Sequence, residues 1–173
     1  MSADARRIDL ALAANRSALS LALNLLPPRL DTQTARVQLL AIGLQESGLK
    51  DRVQIVAGGG KGPARGLLQF ELGGGVRGVL THPASAKMAA EVCVTRRVPA
   101  MTASVVWGEL SRDDVLAFAL GRLLLLTDPH PLPALGDIDE AWNCYVRTWR
   151  PGKPHRDRWT DNYAAALASV KAT

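Results

Sequence analysis

The chain has 173 residues, of which 47% are hydrophobic and 21% charged, and it carries a net charge of +5. A chain of that length fits one domain able to bury roughly 70% of its unfolded surface, and these ordinary globular proportions argue against disorder over most of the length. The positive balance favours anionic polymers without choosing among nucleic acid, membrane surface and acidic wall glycan.

Lysine and arginine are dispersed, dense only at Arg96-Arg97 and between Arg147 and Arg158, so no polybasic arm stands out and no nucleic-acid motif is recognisable. Cys93 and Cys144 are too few for a disulfide framework and lack metal-ligand spacing, which makes both core thiols and leaves no metal or cofactor expected. Asp9, Asn15 and Arg16 interrupt the apolar residues near the start, so no signal-peptide core is expected there. The longest apolar run, Val115 to Leu126, is broken by Gly121 and Arg122 and is too short to span a bilayer. Synthesis in the cytoplasm without stable membrane insertion is the expectation.

In chain order, Ala5 to Leu26 predicts a helix stopped by Pro27-Pro28. Asp31 or Thr32 caps a second helix to about Ser47, with Ala35, Leu39, Ile42 and Glu46 recurring on one face. From Lys50 to Glu71 glycines, prolines and short apolar pieces predict a small hairpin or irregular loop. Helical patterns resume from Val76 to His82, after Pro83 through Val94, and from Met101 to Leu110. Ser111 is the expected cap of a helix whose apolar residues run nearly all round, the central buried one. Pro129, Pro131 and Pro133 end it, and two further helices follow, Asp137 to Trp149 and Asp157 to Val170. No repeat or linker is visible. The expected architecture is mainly α with one small non-helical insertion, a single domain over 1–173 with 1–28 as a helical extension packed on it.

Glu46 is the residue that chemistry would notice. It lies four residues after Ile42 and seven after Leu39, on the apolar side of its helix. Partial desolvation and the negative end of the helix dipole both raise the pKa of a carboxyl there, toward holding a proton near neutral pH. That suits a general acid; the alternative is an exposed glutamate paired with Lys50 at i+4. The three histidines, His82, His130 and His155, all sit beside prolines and form no Ser-His-Asp arrangement. The run Gly58 to Gly62 lacks phosphate-loop spacing and a Ser or Thr after Lys61, which argues against nucleotide binding.

Glu46-Ser47 closing a helix, then a glycine-containing loop and Gly66-Leu67-Leu68-Gln69 about twenty residues on, resembles the Glu-Ser and Gly-Leu-Met-Gln motifs of soluble lytic transglycosylases in the lysozyme-like superfamily. Ala141-Trp142-Asn143-Cys144-Tyr145 looks like that family's Ala-Tyr-Asn-Ala-Gly, with Trp142, Cys144 and Tyr145 as departures, and Tyr163 stands for the tyrosine of its final helix. The insertion of Lys61 to Arg65 and the continuation Phe70 to Gly75 look more like phage- or prophage-encoded members.

The resemblance implies a lysozyme-like fold and cleavage of the β-1,4 bond between N-acetylmuramic acid and N-acetylglucosamine in peptidoglycan strands. Glu46 would be the acid and then the base that yields an anhydro product. A hydrolytic enzyme instead needs a second carboxylate, and Glu71 is the nearby candidate for it, or else the cap of the next helix. Ser47 would orient Glu46, and Gln69, Trp142, Asn143 and Tyr163 would contact sugar. Without an export signal, release by a partner holin and carriage in a phage particle both fit, as does a non-catalytic glycan-binding particle component.

Overall fold

In a computed structural model, which describes residues 3–172, the chain forms eight α-helices and one three-stranded antiparallel sheet. The single-domain expectation for 1–173 therefore has its first two residues and its last outside the described residues. Helix α1 (Ala3–Asn24) buries Leu12, Leu19 and Leu23 and lies against the central helix α6 (Asp114–Leu126) and the last helix α8 (Arg156–Lys171). The N-terminal extension thus contributes directly to the core.

Helix α2 (Gln33–Ser47) starts where Thr32 Oγ1 accepts the Ala35 N–H at 3.1 Å. It ends at Gly48, whose φ of +64° closes the last turn on the carbonyls of Gly43 and Leu44. Leu49 follows with φ +54°, a conformation that costs a side chain free energy, and it is anchored by its buried isobutyl group and by Asn15 Nδ2, which donates to its carbonyl at 3.0 Å. The end of α2 is therefore fixed from both sides.

Directly after it come β1 (Val53–Ile55), β2 (Lys61–Arg65) and β3 (Phe70–Glu71), ordered β1-β2-β3 with Val53 opposite Arg65 and Arg65 opposite Phe70. The glycines that suggested an irregular loop form the β1–β2 hairpin tip, where Gly58 and Gly59 take φ of +92° and +81°. A π-helical turn, Leu72–Val76, leads into α3 (Arg77–Thr81).

Helix α4 (Ala86–Thr95) begins later than expected: Pro83 sits in the preceding turn, and Ser85 spends its hydroxyl on the Val79 carbonyl at 2.8 Å. Helix α5 (Ala103–Glu109) is followed by α6, capped by Asp113, which accepts the Leu116 N–H at 2.9 Å. Ser111, the expected cap, instead donates to Gly108 at the end of α5. As its sequence predicts, α6 is buried on nearly every side. Helix α7 (Ile138–Trp149) is capped by Asp137 and brings α8 after the Pro151–Pro154 turn. Cys93 and Cys144 are free and buried, and burial pushes both thiols up to about 11. Among the described residues no helix is long and apolar enough to cross a membrane.

Candidate active site

The end of α2, the sheet, the Thr127–His130 segment, the C-terminal half of α7 and the start of α8 surround one groove of about 1490 Å³. Glu46 stands in its wall from the last turn of α2. It makes no ion pair with Lys50, so the surface-pair alternative is not what the structure adopts. Its Oε1 accepts a hydrogen bond of 2.6 Å from the Tyr145 hydroxyl, and its Oε2 has no partner among the described residues.

Four influences set the proton affinity of Glu46. Burial raises its pKa most, and the negative charge of Glu71 pushes the same way. The Tyr145 hydrogen bond and the Arg158 guanidinium act against them, because each favours the ionised form. The balance leaves the pKa above that of an ordinary glutamate. Tyr145 itself is 2% exposed. Its phenol is driven upward by burial and by Glu46, so it stays a donor across the working pH range.

Ser47 Oγ donates to the Leu67 carbonyl at 2.6 Å and to Gly43 at 3.2 Å. It ties the helix end to the loop across the groove and does not bond Glu46. That loop is shaped by Gly66, whose φ is +75° and where a Cβ would lie 3.0 Å from the Leu110 carbonyl, so a side chain there would be strained. Gln69 has φ +51°, and its Nε2 donates to Gly66 at 2.8 Å and to Asp51 at 3.1 Å. These bonds leave its Oε1 as the group available to a ligand. Glu71 is exposed on β3 and lines the groove; it precedes the π-helical turn without making a side-chain cap bond, so the capping alternative fails.

The other three expected sugar contacts lie elsewhere. Tyr163 is 1% exposed, packs on Trp159 and accepts the Gly136 N–H at 3.1 Å. Trp142 packs edge-on against Trp159 at 5.6 Å beneath the Arg156 guanidinium. Asn143 is exposed and donates to Glu140 at 3.1 Å. None of the three lines the groove. Trp142 shares the Tyr145 face of α7 but lies a turn nearer the helix N-terminus, 5.3 Å from the Tyr145 ring and packed against α8, while Asn143 points to solvent.

Tyr145 and Trp149 are the functional candidates that motif matching passed over. Trp149 lines the groove, donates its Nε1 to the Leu68 carbonyl at 2.8 Å and tilts against Phe70 at 5.8 Å. Both belong to the Trp142, Tyr145, Trp149 spacing of i, i+3 and i+7, which marks one face of α7 without revealing what that face meets.

Among the described residues no cluster of three or more His, Cys, Asp or Glu is placed to hold a metal ion. The chemistry this arrangement offers is proton transfer by one half-buried carboxyl, one oxygen fixed and the other open to the groove. Comparison with protein-family models, curated proteins and solved structures finds no match.

Proposed function

We propose that the protein is a lysozyme-like enzyme that cleaves the β-1,4 bond between N-acetylmuramic acid and N-acetylglucosamine in peptidoglycan, with Glu46 as its general acid and base. One observation carries the reading: Glu46 is a carboxyl of raised proton affinity whose Oε1 is held by Tyr145 and whose Oε2 is unpartnered in a wide groove. The groove exceeds the roughly 300–1,000 Å³ usual for small-molecule sites, which suits a stretch of polymer. Trp149 offers an aromatic face of the kind that stacks on a sugar ring.

In the mechanism, protonated Glu46 gives its proton to the glycosidic oxygen as the bond to the anomeric carbon breaks. The resulting carboxylate takes the proton of the muramic acid 6-hydroxyl, whose oxygen closes on the anomeric carbon. The product is a 1,6-anhydro end and no water is consumed. Positioned proton transfer of this kind contributes about 10²–10⁴-fold. A hydrolytic outcome is the second reading, favoured by Glu71, which lines the same groove closely enough for its charge to act on Glu46. There it would direct a water at the anomeric carbon. Release with a holin or carriage in a phage particle would bring either enzyme to the wall.

The test is release of soluble fragments from purified sacculi by wild type and by Glu46→Gln, with folding of both checked by circular dichroism. The proposal expects release by wild type and a loss of at least about 100-fold in the variant. Equal release by the two would remove Glu46 from the chemistry. Sacculus binding with no release by either would make the protein a glycan-binding component.

A further inference from the structure

The groove is electrically uneven. Glu46 and Glu71 stand toward the sheet, and Asp128 is engaged by Arg147 at 3.1 Å and His130 at 2.7 Å. Where α7 passes through the Pro151–Pro154 turn into α8, Arg150, Lys153 and Arg158 line the same groove and form no ion pair among the described residues. The nearest competing acid on that segment is Asp157, exposed and 4.0 Å from His155 Nδ1.

This end is built rather than loose. Gln45, on the turn of α2 that carries Glu46, donates its Nε2 to the His155 carbonyl at 2.8 Å and accepts from buried Asn162 at 2.9 Å. Arg150 is fixed in a left-handed conformation, φ +49°, with its N–H on Val146 and its Nε on the Arg147 carbonyl at 3.4 Å. The position of the cations relative to Glu46 is thereby set through Gln45. In addition α8 begins at Arg156 with no side-chain cap from His155, so the positive end of its dipole lies in the same region.

A neutral sugar chain has no use for such a field. The carboxylates of the peptide hanging from the lactyl group of each muramic acid do, and a wall of one sign concentrates them. Resting on the peptidoglycan reading above, we propose that Arg150, Lys153 and Arg158 form a binding site for the stem-peptide carboxylates, so that the protein selects peptide-bearing glycan over bare glycan. Arg158 serves two sites at once, since its charge also acts on Glu46. Arg150 and Lys153 are not among the groups that set the proton affinity of Glu46 and are the residues to vary.

The experiment measures binding of soluble glycan oligomers to the full chain carrying Glu46→Gln, which prevents turnover. One ligand keeps its peptides; the other has lost them to an amidase, and the lactyl carboxylates this exposes are capped as methyl amides so that the glycan is neutral. Peptide-bearing oligomers should bind about three- to tenfold more tightly, from two or three exposed charge pairs, and the preference should shrink as salt is raised. In the Arg150→Ala, Lys153→Ala double variant the ratio of the two affinities should fall toward one, while Arg7→Ala, an exposed cation of α1 that does not line the groove, keeps it. Equal binding of both oligomers by the parent, or an unchanged ratio in the double variant, overturns the stem-peptide site and leaves the cleavage reading standing. Binding of neither overturns both.

Discussion

Replacing Tyr145 by Phe tests the tuning of Glu46 with little disturbance to the fold. The ring keeps its stacking on Trp159 at 5.2 Å, and only the hydroxyl that donates 2.6 Å to Glu46 Oε1 is lost. That bond favours the ionised carboxyl, so its removal raises the pKa of Glu46 further. A hydrogen bond to a charged group contributes about 1.5–3 kcal/mol, and at about 1.4 kcal/mol per pH unit the change corresponds to roughly one to two pH units. Because Glu46 must hold a proton to open the reaction, activity is lost as pH rises through its pKa. The alkaline limb of the pH–rate profile for fragment release should therefore move upward by that amount. The maximal rate should fall as well, since Oε1 is no longer held. An alkaline limb that stays in place or moves downward would refute the role given to Tyr145, whatever happens to the maximal rate.

Glu71→Gln removes the negative charge that raises the pKa of Glu46 and should move the same limb downward; a lyase keeps substantial activity in this variant, whereas a hydrolase loses nearly all of it. Glu46→Gln should melt at a higher temperature than wild type near neutral pH. The folded pKa of Glu46 lies above its unfolded value, so the folded state is penalised above that raised pKa. The gap should close as pH falls into the ordinary carboxylate range, which thermal melts across pH will read. Gly121→Ala, normally favourable inside a helix, should destabilise: its Cβ would lie 2.3 Å from Leu68 Cδ1 and 3.0 Å from Leu39 Cδ2. Overpacking of that sort costs about 1–3 kcal/mol, or a fall of roughly 2–12 °C in Tm for a chain of this size.

Much of the helical frame was legible because it rests on local chemistry. Thr32 and Asp137 are capping residues set directly before apolar periodicity, and the all-round apolarity of α6 has no outlet but the core. Where two local signals competed, the neighbourhood decided: Asp113 won the cap of α6 because Ser111 closes α5. The π-helical turn Leu72–Val76 could not be read from three successive glycines, which have no conformational preference strong enough to announce it.

The site divides in the same way. Glu46 on the apolar side of a helix end is a statement about one element, and periodicity sufficed to find it. Tyr145 lies 99 residues away, and its contact with Glu46 depends on how α7 rotates against α2. Matching motifs by position placed Trp142, Asn143 and Tyr163 at the sugar, but Trp142 and Tyr163 pack on Trp159 and Asn143 faces solvent. Glu71 was found by proximity along the chain, and its electrostatic influence on Glu46 comes from the sheet carrying it back across the groove.

Mass spectrometry of the fragments released from purified sacculi, wild type beside Glu46→Gln, reads the chemistry of Glu46 at the product itself. Wild type should release disaccharide-peptides ending in 1,6-anhydromuramic acid, about 18 mass units lighter than reducing ends because no water enters, and the variant none above background. Glu46→Gln yielding the same fragments at the same rate would contradict it.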